Sequence, residues 1–388
     1  MMPAMKKPID IKAAVLREQG GPFVIEDLKL NPPMPGEVLV EVEACGICHT
    51  DLMIRDGGYP TPLPVVLGHE GAGTIRAIGE GVKAVAVGDK VLMSFAACGQ
   101  CASCNAGEVA YCWHHMEMNF SAYRYENGEW TTPSALDWPD ASDATKKEGI
   151  HGAFFQQSSF ATHAVALESN VVKVDPDADL RVFAPLGCGF QTGAGAILNT
   201  LRPRFGSSVV IFGVGNVGLA AIAAANADGA GKIIVVDPVE SRRELAVEFG
   251  ASLALSPDQA DAERLRSETG GGADICLDTT GRPQVLRAAF DILAPRGVTG
   301  LIGGSPLGTE TSLDMTHMLF GRTVRGILQG DSRPKDFLPK LIDLHKRGHF
   351  PIDRLIATYP LDQINQAIAD MESGKVVKPV VVMKPTIQ

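Results

Sequence analysis

Cys98, Cys101, Cys104 and Cys112 form a C-x-x-C-x-x-C run with a fourth cysteine a few residues on, in a chain that has only 8 cysteines. Spacing this tight folds one short loop around a tetrahedral Zn²⁺, which prefers thiolates and reaches them at roughly 2.3 Å. Four thiolates leave no open coordination position, so a metal held here is structural. The remaining metal-type residues, Cys48, His69-Glu70 and Cys188, lie far apart in the sequence. A cysteine, a histidine and a cysteine scattered in this way imply a second, open zinc site that only a folded chain assembles. A glycine-rich nucleotide loop follows at Gly213.

The bulk composition agrees and removes other classes. Hydrophobic residues make up 45% of the 388 residues and charged residues 21%, ordinary for a globular chain long enough for two or three domains with buried cores. A net charge of −10 and a pI near 5.4 argue against a nucleic-acid or anionic-membrane partner. No apolar run approaches the roughly 18 residues that span a bilayer. The opening MMPAMKKPIDIKAAVL is broken by Pro8, Asp10 and Lys12 and does not read as a signal peptide. Cysteines at metal spacing without secretion signals favour a reducing compartment, so a cytoplasmic location is expected.

The first third reads as β-rich, with apolar runs at Ile11–Leu16, Val38–Val42, Gly71–Ile78 and Lys90–Ser94 separated by Gly/Pro punctuation. After the cysteine loop, the stretch from Trp113 to Gly149 is polar and turn-rich, as at Glu126-Asn-Gly128 and Asp137-Trp-Pro-Asp140. A loop of that length is commonly functional. From about residue 190 the texture changes: helical patterns alternate with short β-branched runs at Val209–Phe212, Ile233–Val236, Ile275–Leu277, Val298–Ile302 and Thr323–Leu328. That alternation predicts βαβ units and a doubly wound parallel sheet. Helices at Asp336–Arg347 and Leu361–Ser373 and strands near Leu355–Tyr359 and Lys378–Met383 end the chain. The expected division is 1–189, 190–328 and a segment 329–388 that returns to the first domain.

The glycine loop has the context it needs. The strand Ser208–Phe212 runs into Gly213-Val-Gly215-Asn-Val-Gly218, and an alanine-rich helix follows directly. Glycines permit a tight turn and close approach of backbone to a pyrophosphate seated on the helix N-terminus. Asp237 ends the next strand, where a carboxylate accepts from ribose hydroxyls and repels a 2′-phosphate, so NAD is favoured over NADP. Arg242 and Arg243 follow closely, and one of them could tolerate a phosphate.

Cys45-Gly-Ile-Cys48-His-Thr-Asp51, then Gly68-His-Glu70, then Gly187-Cys-Gly-Phe-Gln-Thr-Gly193, together with the cysteine loop and the glycine fingerprint in the same order, closely resemble the zinc-dependent medium-chain alcohol dehydrogenases. The likeness covers nearly the whole chain. It implies a GroES-like β-rich catalytic domain joined to a Rossmann domain, two zincs per chain, NAD, a small alcohol or aldehyde as substrate, and a homodimer or homotetramer. By the same resemblance, Cys48, His69 and Cys188 are the catalytic zinc ligands and Glu70 is the carboxylate beside the metal. Asp51 holds His69 in its ligating tautomer, and Thr50 bonds the substrate oxygen and starts the proton relay. His49 and Lys378 contact the cofactor phosphates, while Thr192 and Val217 press on the nicotinamide.

One departure stands out. Where liver-type members end the relay in a histidine, this chain has Met53, which carries no proton; water, His49 or Arg55 must end it. Cys45 is read as a small buried residue, Cys276 as a core strand residue, and His114 and His115 as surface histidines.

Cys188 argues for the alcohol dehydrogenase branch, since polyol and threonine branches commonly carry glutamate there. Within it, two groups look close. The bacterial aryl-alcohol dehydrogenases share Phe154-Phe-Gln-Gln-Ser-Ser-Phe160 and Leu328-Gln-Gly-Asp-Ser332. The thiol-adduct formaldehyde dehydrogenases share Gly187–Gly193 and also lack the relay histidine. The second group needs basic residues for the glutathione carboxylates, and the 113–150 loop, whose one adjacent pair Lys146-Lys147 runs into Glu148, is not read as supplying them. Phe95, Phe154 and Phe155 instead imply a flat apolar pocket for an aromatic ring or allylic chain. A non-catalytic dinucleotide sensor, the remaining alternative, would have lost a ligand or Thr50.

Overall fold

A computed structural model describes residues 7–126, 129–133, 136–137 and 149–383. The turns expected at Asn127-Gly128 and Trp138–Asp140 lie outside the described residues. The chain divides into two units. The first runs up to Cys188 and takes back Arg333–Pro339 and the chain from Leu355 on; the second comprises Gly189–Ser332 and Lys340–Arg354.

Strands β1 (Ile9–Leu16), β2 (Phe23–Leu30), β3 (Glu37–Gly46), β4 (Val65–Val66), β5 (Gly71–Ile78), β6 (Lys90–Met93), β7 (His163–Leu167) and β8 (Val171–Lys173) belong to the first unit. Strands β9 (Ser208–Phe212), β10 (Lys232–Val236), β11 (Leu253–Leu255), β12 (Ala273–Asp278), β13 (Leu293–Leu301) and β14 (Thr323–Gly326) build the second. Strands β15 (Ile356–Pro360) and β16 (Lys378–Val382) belong to the first again. The helices that matter for the site are α1 (His49–Arg55), α2 (His115–Phe120), α3 (Gly189–Gly195) and α4 (Asn216–Ala227).

In the first unit β1 pairs antiparallel with β2, from Ile9 opposite Leu30 to Leu16 opposite Phe23. The larger sheet runs β8-β6-β5-β3-β16-β15, with β7 also on β3. Strand β2 was not anticipated, because Glu26-Asp27 interrupts its apolar run; Phe23, Leu28 and Leu30 nevertheless face the core. Register places Val380 opposite Gly46 and Val382 opposite Ala44, so β16 delivers its first residue, Lys378, beside the end of β3.

The second unit is a six-stranded sheet in the order β11-β10-β9-β12-β13-β14, parallel throughout. All five residues of β9 are buried, as both-face coverage of a parallel sheet requires. The expected strands are present, with β11 added; its three residues were too few to register as a periodic run. Residues 340–354 differ from the expected return segment by clustering with the second unit. Phe350 is fully buried there and packs edge-on against Phe190, with ring centroids 6.5 Å apart. Among the described residues no helix is long and apolar enough to cross a membrane.

His115 corrects an expectation. His114 is exposed, but His115 opens α2 facing inward, with Met118 and Asn119 on the same buried side. Its ring lies 6.1 Å from that of Phe95 and 6.4 Å from that of Phe120. Burial penalises the charged imidazole and lowers its pKa from 6.5 to about 4. Between those pH values the unfolded chain takes up this proton and the folded chain does not, so stability falls as pH drops through the window. The wild type is expected to lose on the order of 3 kcal/mol relative to His115→Phe between pH 6.5 and 4, read from urea unfolding curves. Parallel pH profiles for the two proteins would refute the assignment.

Candidate active site

Strand β3 ends at Gly46, and two residues later Cys48 caps α1. Its own N–H donates to Asp51 Oδ2 at 2.9 Å, so the helix start is closed by the side chain three residues on. Asp51 is fully buried and does a second job: its Oδ1 accepts from His69 Nδ1 at 3.0 Å. A carboxylate can only accept, which puts the proton on Nδ1 and leaves Nε2 with its lone pair. That Nε2 is buried and has no hydrogen-bond partner. It sits among Cys48, Glu70 and Cys188, whose ligand atoms and its own all lie within 4.8 Å of one another, and all four residues are buried. An orphaned imidazole nitrogen facing two sulfurs is the donor set of an open zinc site. Residues 48, 69 and 188 thus converge as the sequence implied. The Thr50 hydroxyl lies 3.7 Å from Cys48 Sγ, and His49 is exposed at the start of α1.

The electrostatics of the cluster are those of a metal site. A hydrogen bond from Cys188 holds the Cys48 thiol well below its ordinary pKa despite burial, with His69 and Lys378 adding to the effect. Cys188, which donates, is pushed well up. Burial opposes charge on His69, but the Asp51 carboxylate outweighs it and makes the ring more basic. Burial lifts Glu70 to about 7 against the pull of Lys378.

Lys378 has its partners within this cluster. The resemblance set it against the cofactor phosphates, yet it is completely buried, donating from Nζ to Glu70 Oε2 at 2.6 Å and to Ile47 O at 2.8 Å. Burial works against its charge, and Glu70 and the Cys48 thiolate overcome that, so its pKa is raised. A thiolate and a carboxylate shut away from water need a cation, and β16 provides it.

Phe95, Phe154 and Phe155, expected to line a flat apolar pocket, are all buried. Phe155 stacks on the His69 ring with centroids 4.5 Å apart and planes at 27°, and Phe154 meets it edge-on at 5.5 Å. Phe154 and Phe155 thus pack the His69 ring from two sides. Sequence reasoning also missed Ser94 and Gln157, both buried and hydrogen-bonded around this cluster.

The four-cysteine loop is local. Its sulfurs lie within 4.8 Å of one another, with Cys98 and Cys104 Sγ 3.9 Å apart. Backbone N–H groups of Cys98, Cys101 and Trp113 donate to Cys112, Cys98 and Cys101 Sγ at 3.3, 3.4 and 3.5 Å. The Trp113 N–H is the main reason the Cys101 pKa falls to about 6. None of the cysteines is in a disulfide. Preformed N–H···S bonds around four thiols fit a tetrathiolate metal.

In the second unit, Gly215 caps α4 without a side-chain hydrogen bond, and a Cβ built there would meet nothing within 4 Å. Open space against a helix N-terminus is what a pyrophosphate requires. Gly218 is the opposite case, since its Cβ would sit 2.1 Å from Gly213 O. Asp237 Oδ2 accepts from Val214 N at 2.7 Å and Oδ1 from Val239 N at 2.8 Å, which ties the carboxylate to the loop it serves. Arg242 is half-buried. Val217 O closes on Gly193, where a Cβ would be 2.0 Å away, and the Thr192 hydroxyl lies 3.5 Å from Gln329 Oε1.

Comparison with known proteins agrees with this construction. Residues 34–176 match the alcohol dehydrogenase GroES-like domain and residues 216–347 the zinc-binding dehydrogenase domain. The chain belongs to the zinc-dependent medium-chain alcohol dehydrogenases, and it is an enzyme of that class. It is similar to a geraniol dehydrogenase of Castellaniella defragrans, 44% identical over 96% of this chain and 98% of that one. Among solved structures it is similar to an alcohol dehydrogenase zinc-binding domain protein from Burkholderia ambifaria (47% identity, TM-score 0.92, 97% and 100% of the two chains). The benzyl alcohol dehydrogenase of Acinetobacter calcoaceticus follows at 42% identity and TM-score 0.90, with the same coverage.

The two metal sites should separate by mutation. Cys188→Ala is expected to abolish turnover and remove one zinc per chain while the protein stays folded. Cys104→Ala should mainly lower thermal stability and soluble yield. Elemental analysis and melting curves check both, and a wild-type rate in Cys188→Ala would overturn the catalytic assignment.

Proposed function

We propose that the chain is a zinc- and NAD-dependent dehydrogenase that reversibly oxidises primary aromatic or allylic (terpenoid) alcohols to aldehydes. The observation that carries the chemistry is the unpartnered His69 Nε2 facing Cys48 and Cys188 with the Thr50 hydroxyl alongside. Bound zinc would supply Lewis acidity toward an alcohol oxygen and NAD a hydride acceptor. Thr50 accepts the hydroxyl proton of the alcohol. Met53 cannot pass it on, and Arg55 is held by Asp56 at 2.7 Å and Glu372 at 2.8 Å, which keep its guanidinium charged. The exposed His49 next to Thr50, or water, then takes the proton out. Asp51 keeps His69 in its ligating tautomer throughout, and Lys378 keeps Glu70 charge-balanced.

The substrate class rests on the two named relatives, one acting on geraniol and one on benzyl alcohol, each aligned over nearly the full chain. NAD rather than NADP follows from Asp237. The absence of disulfides fits a cytoplasmic enzyme.

We also propose a homodimer, alone or as half of a tetramer. Strand β14 is a sheet edge, and Leu307, Met315, Leu319 and Phe320 are exposed nearby in sequence. Light scattering at micromolar concentration should give at least twice the monomer mass; a monomer would exclude this assembly.

Burying an aromatic ring or allylic chain gains on the order of 1.5–3 kcal/mol that ethanol cannot collect, so kcat/KM for benzyl alcohol and geraniol should exceed that for ethanol by roughly ten-fold or more. Steady-state rates with NAD and NADP, followed by reduced-cofactor absorbance, test this. Equal efficiency with ethanol would refute the substrate class. Strict dependence on glutathione would assign the chain to the thiol-adduct formaldehyde dehydrogenases, and NADP used as well as NAD would refute the role of Asp237.

A further inference from the structure

The segment Phe154–Phe160 has a backbone that its sequence does not favour. Phe155, Gln156 and Ser158 all lie in the left-handed region, with φ of +51°, +50° and +49°, and none is glycine. Such residues persist only where the surroundings hold them, and they concentrate at functional sites. Here the holding is complete. Asn170 Nδ2 donates to Phe155 O at 3.0 Å, Gln156 Nε2 to Tyr123 O at 2.7 Å, and Ser158 Oγ to Val66 O at 2.7 Å.

The strained run achieves two things. It lays the Phe155 ring on His69, and it puts the Gln157 amide between two otherwise separate parts of the metal site. Gln157 is 1% exposed. Its Nε2 donates to His69 O and to Ser94 O, both at 3.0 Å. Its Oε1 accepts from Gly71 N at 3.2 Å and from Ser159 Oγ at 2.6 Å. All four hydrogen-bonding positions of the amide are therefore used. Ser94 continues the path, with Oγ donating to Gly187 O at 2.6 Å, one residue before Cys188. Two side chains thus connect the backbone of His69 to the backbone that carries Cys188. Asp51 acts on the imidazole ring; this path acts on where the ligands' backbones sit.

We propose that Gln157 and Ser94 are positioning residues that set the spacing between His69 and Cys188, with Phe155 fixing the plane of the imidazole. The proposal rests on reading Cys48, His69 and Cys188 as a metal site. Neither residue touches substrate; they act through the ligands.

The test uses the full-length protein loaded with Co²⁺ or Zn²⁺. Gln157→Met keeps the length of the side chain and loses every amide hydrogen bond, while Ser94→Ala removes only the hydroxyl bond to Gly187. Partners behind metal ligands are commonly worth 10–100-fold in metal affinity. Gln157→Met should therefore release the catalytic metal to a chelator roughly ten-fold faster or more, with Ser94→Ala changing in the same direction. The visible cobalt bands should shift, kcat should fall more than KM rises, and release from the four-cysteine loop should stay at the wild-type rate. A folded variant with wild-type cobalt bands and release rate overturns the proposal; if Gln157→Met does not fold, Ser94→Ala decides alone. A wild type that binds only the four-cysteine metal would overturn the metal-site reading and this proposal with it.

Discussion

Cys48, Cys188 and Glu70 bring three acidic groups into a volume closed to water, around a single imidazole. Desolvating charges of that kind costs several kcal/mol apiece unless each is paired, and the pairing decides how the rest of the first unit is built. Glu70 is answered by Lys378, the imidazole by Asp51, and the thiols by each other and by the cation they are shaped to hold. The main participants come from four separate stretches of chain. Cys48 caps α1, His69 and Glu70 precede β5, Cys188 ends the unit's first continuous stretch, and Lys378 opens β16. The order of strands in the larger sheet is what brings these segments to one end of β3.

What could be read from the sequence was what is local. The four-cysteine loop and the glycine turn each fit within a short stretch of chain, so spacing alone specifies their geometry. The convergence of Cys48, His69 and Cys188 became legible through motif likeness, since no spacing rule joins them. The pairing of Lys378 with Glu70 was not legible, because that partner is chosen by tertiary register, opposite a strand more than half the chain away. His115 was within reach: residues 115, 118 and 119 follow a helical period and are buried together, a pattern that reads as an inward face. Gln157 and Ser94 carried no such signal. Polar residues in an irregular segment read as solvent-facing until the backbone groups they satisfy are known.

Left-handed non-glycine residues recur at a second place, Gln329 and Asp331 flanking Gly330 in the second unit. This turn packs on α3, and the fit is close enough that a Cβ on Gly195 would lie 2.2 Å from Gly330 O. Asn199 and Thr200 hold it through Gly330 O at 3.0 Å and Asp331 Oδ2 at 2.6 Å. In both units, then, an element bearing site residues is pinned by a turn whose own conformation is unfavourable, and hydrogen bonds from the frame maintain it.

The position of Lys378 also imposes a timetable on biogenesis. The loop from Cys98 to Cys112 contains all four of its thiols within one short stretch of chain. The β9–β14 sheet precedes Lys378 in the order of synthesis. The centre around Cys48 lacks its balancing ammonium until β16 has been translated and has added itself to β3. The charge balance of this centre therefore depends on a strand made after the whole parallel sheet of the second unit, whereas the four thiols of the cysteine loop arrive together in one short stretch.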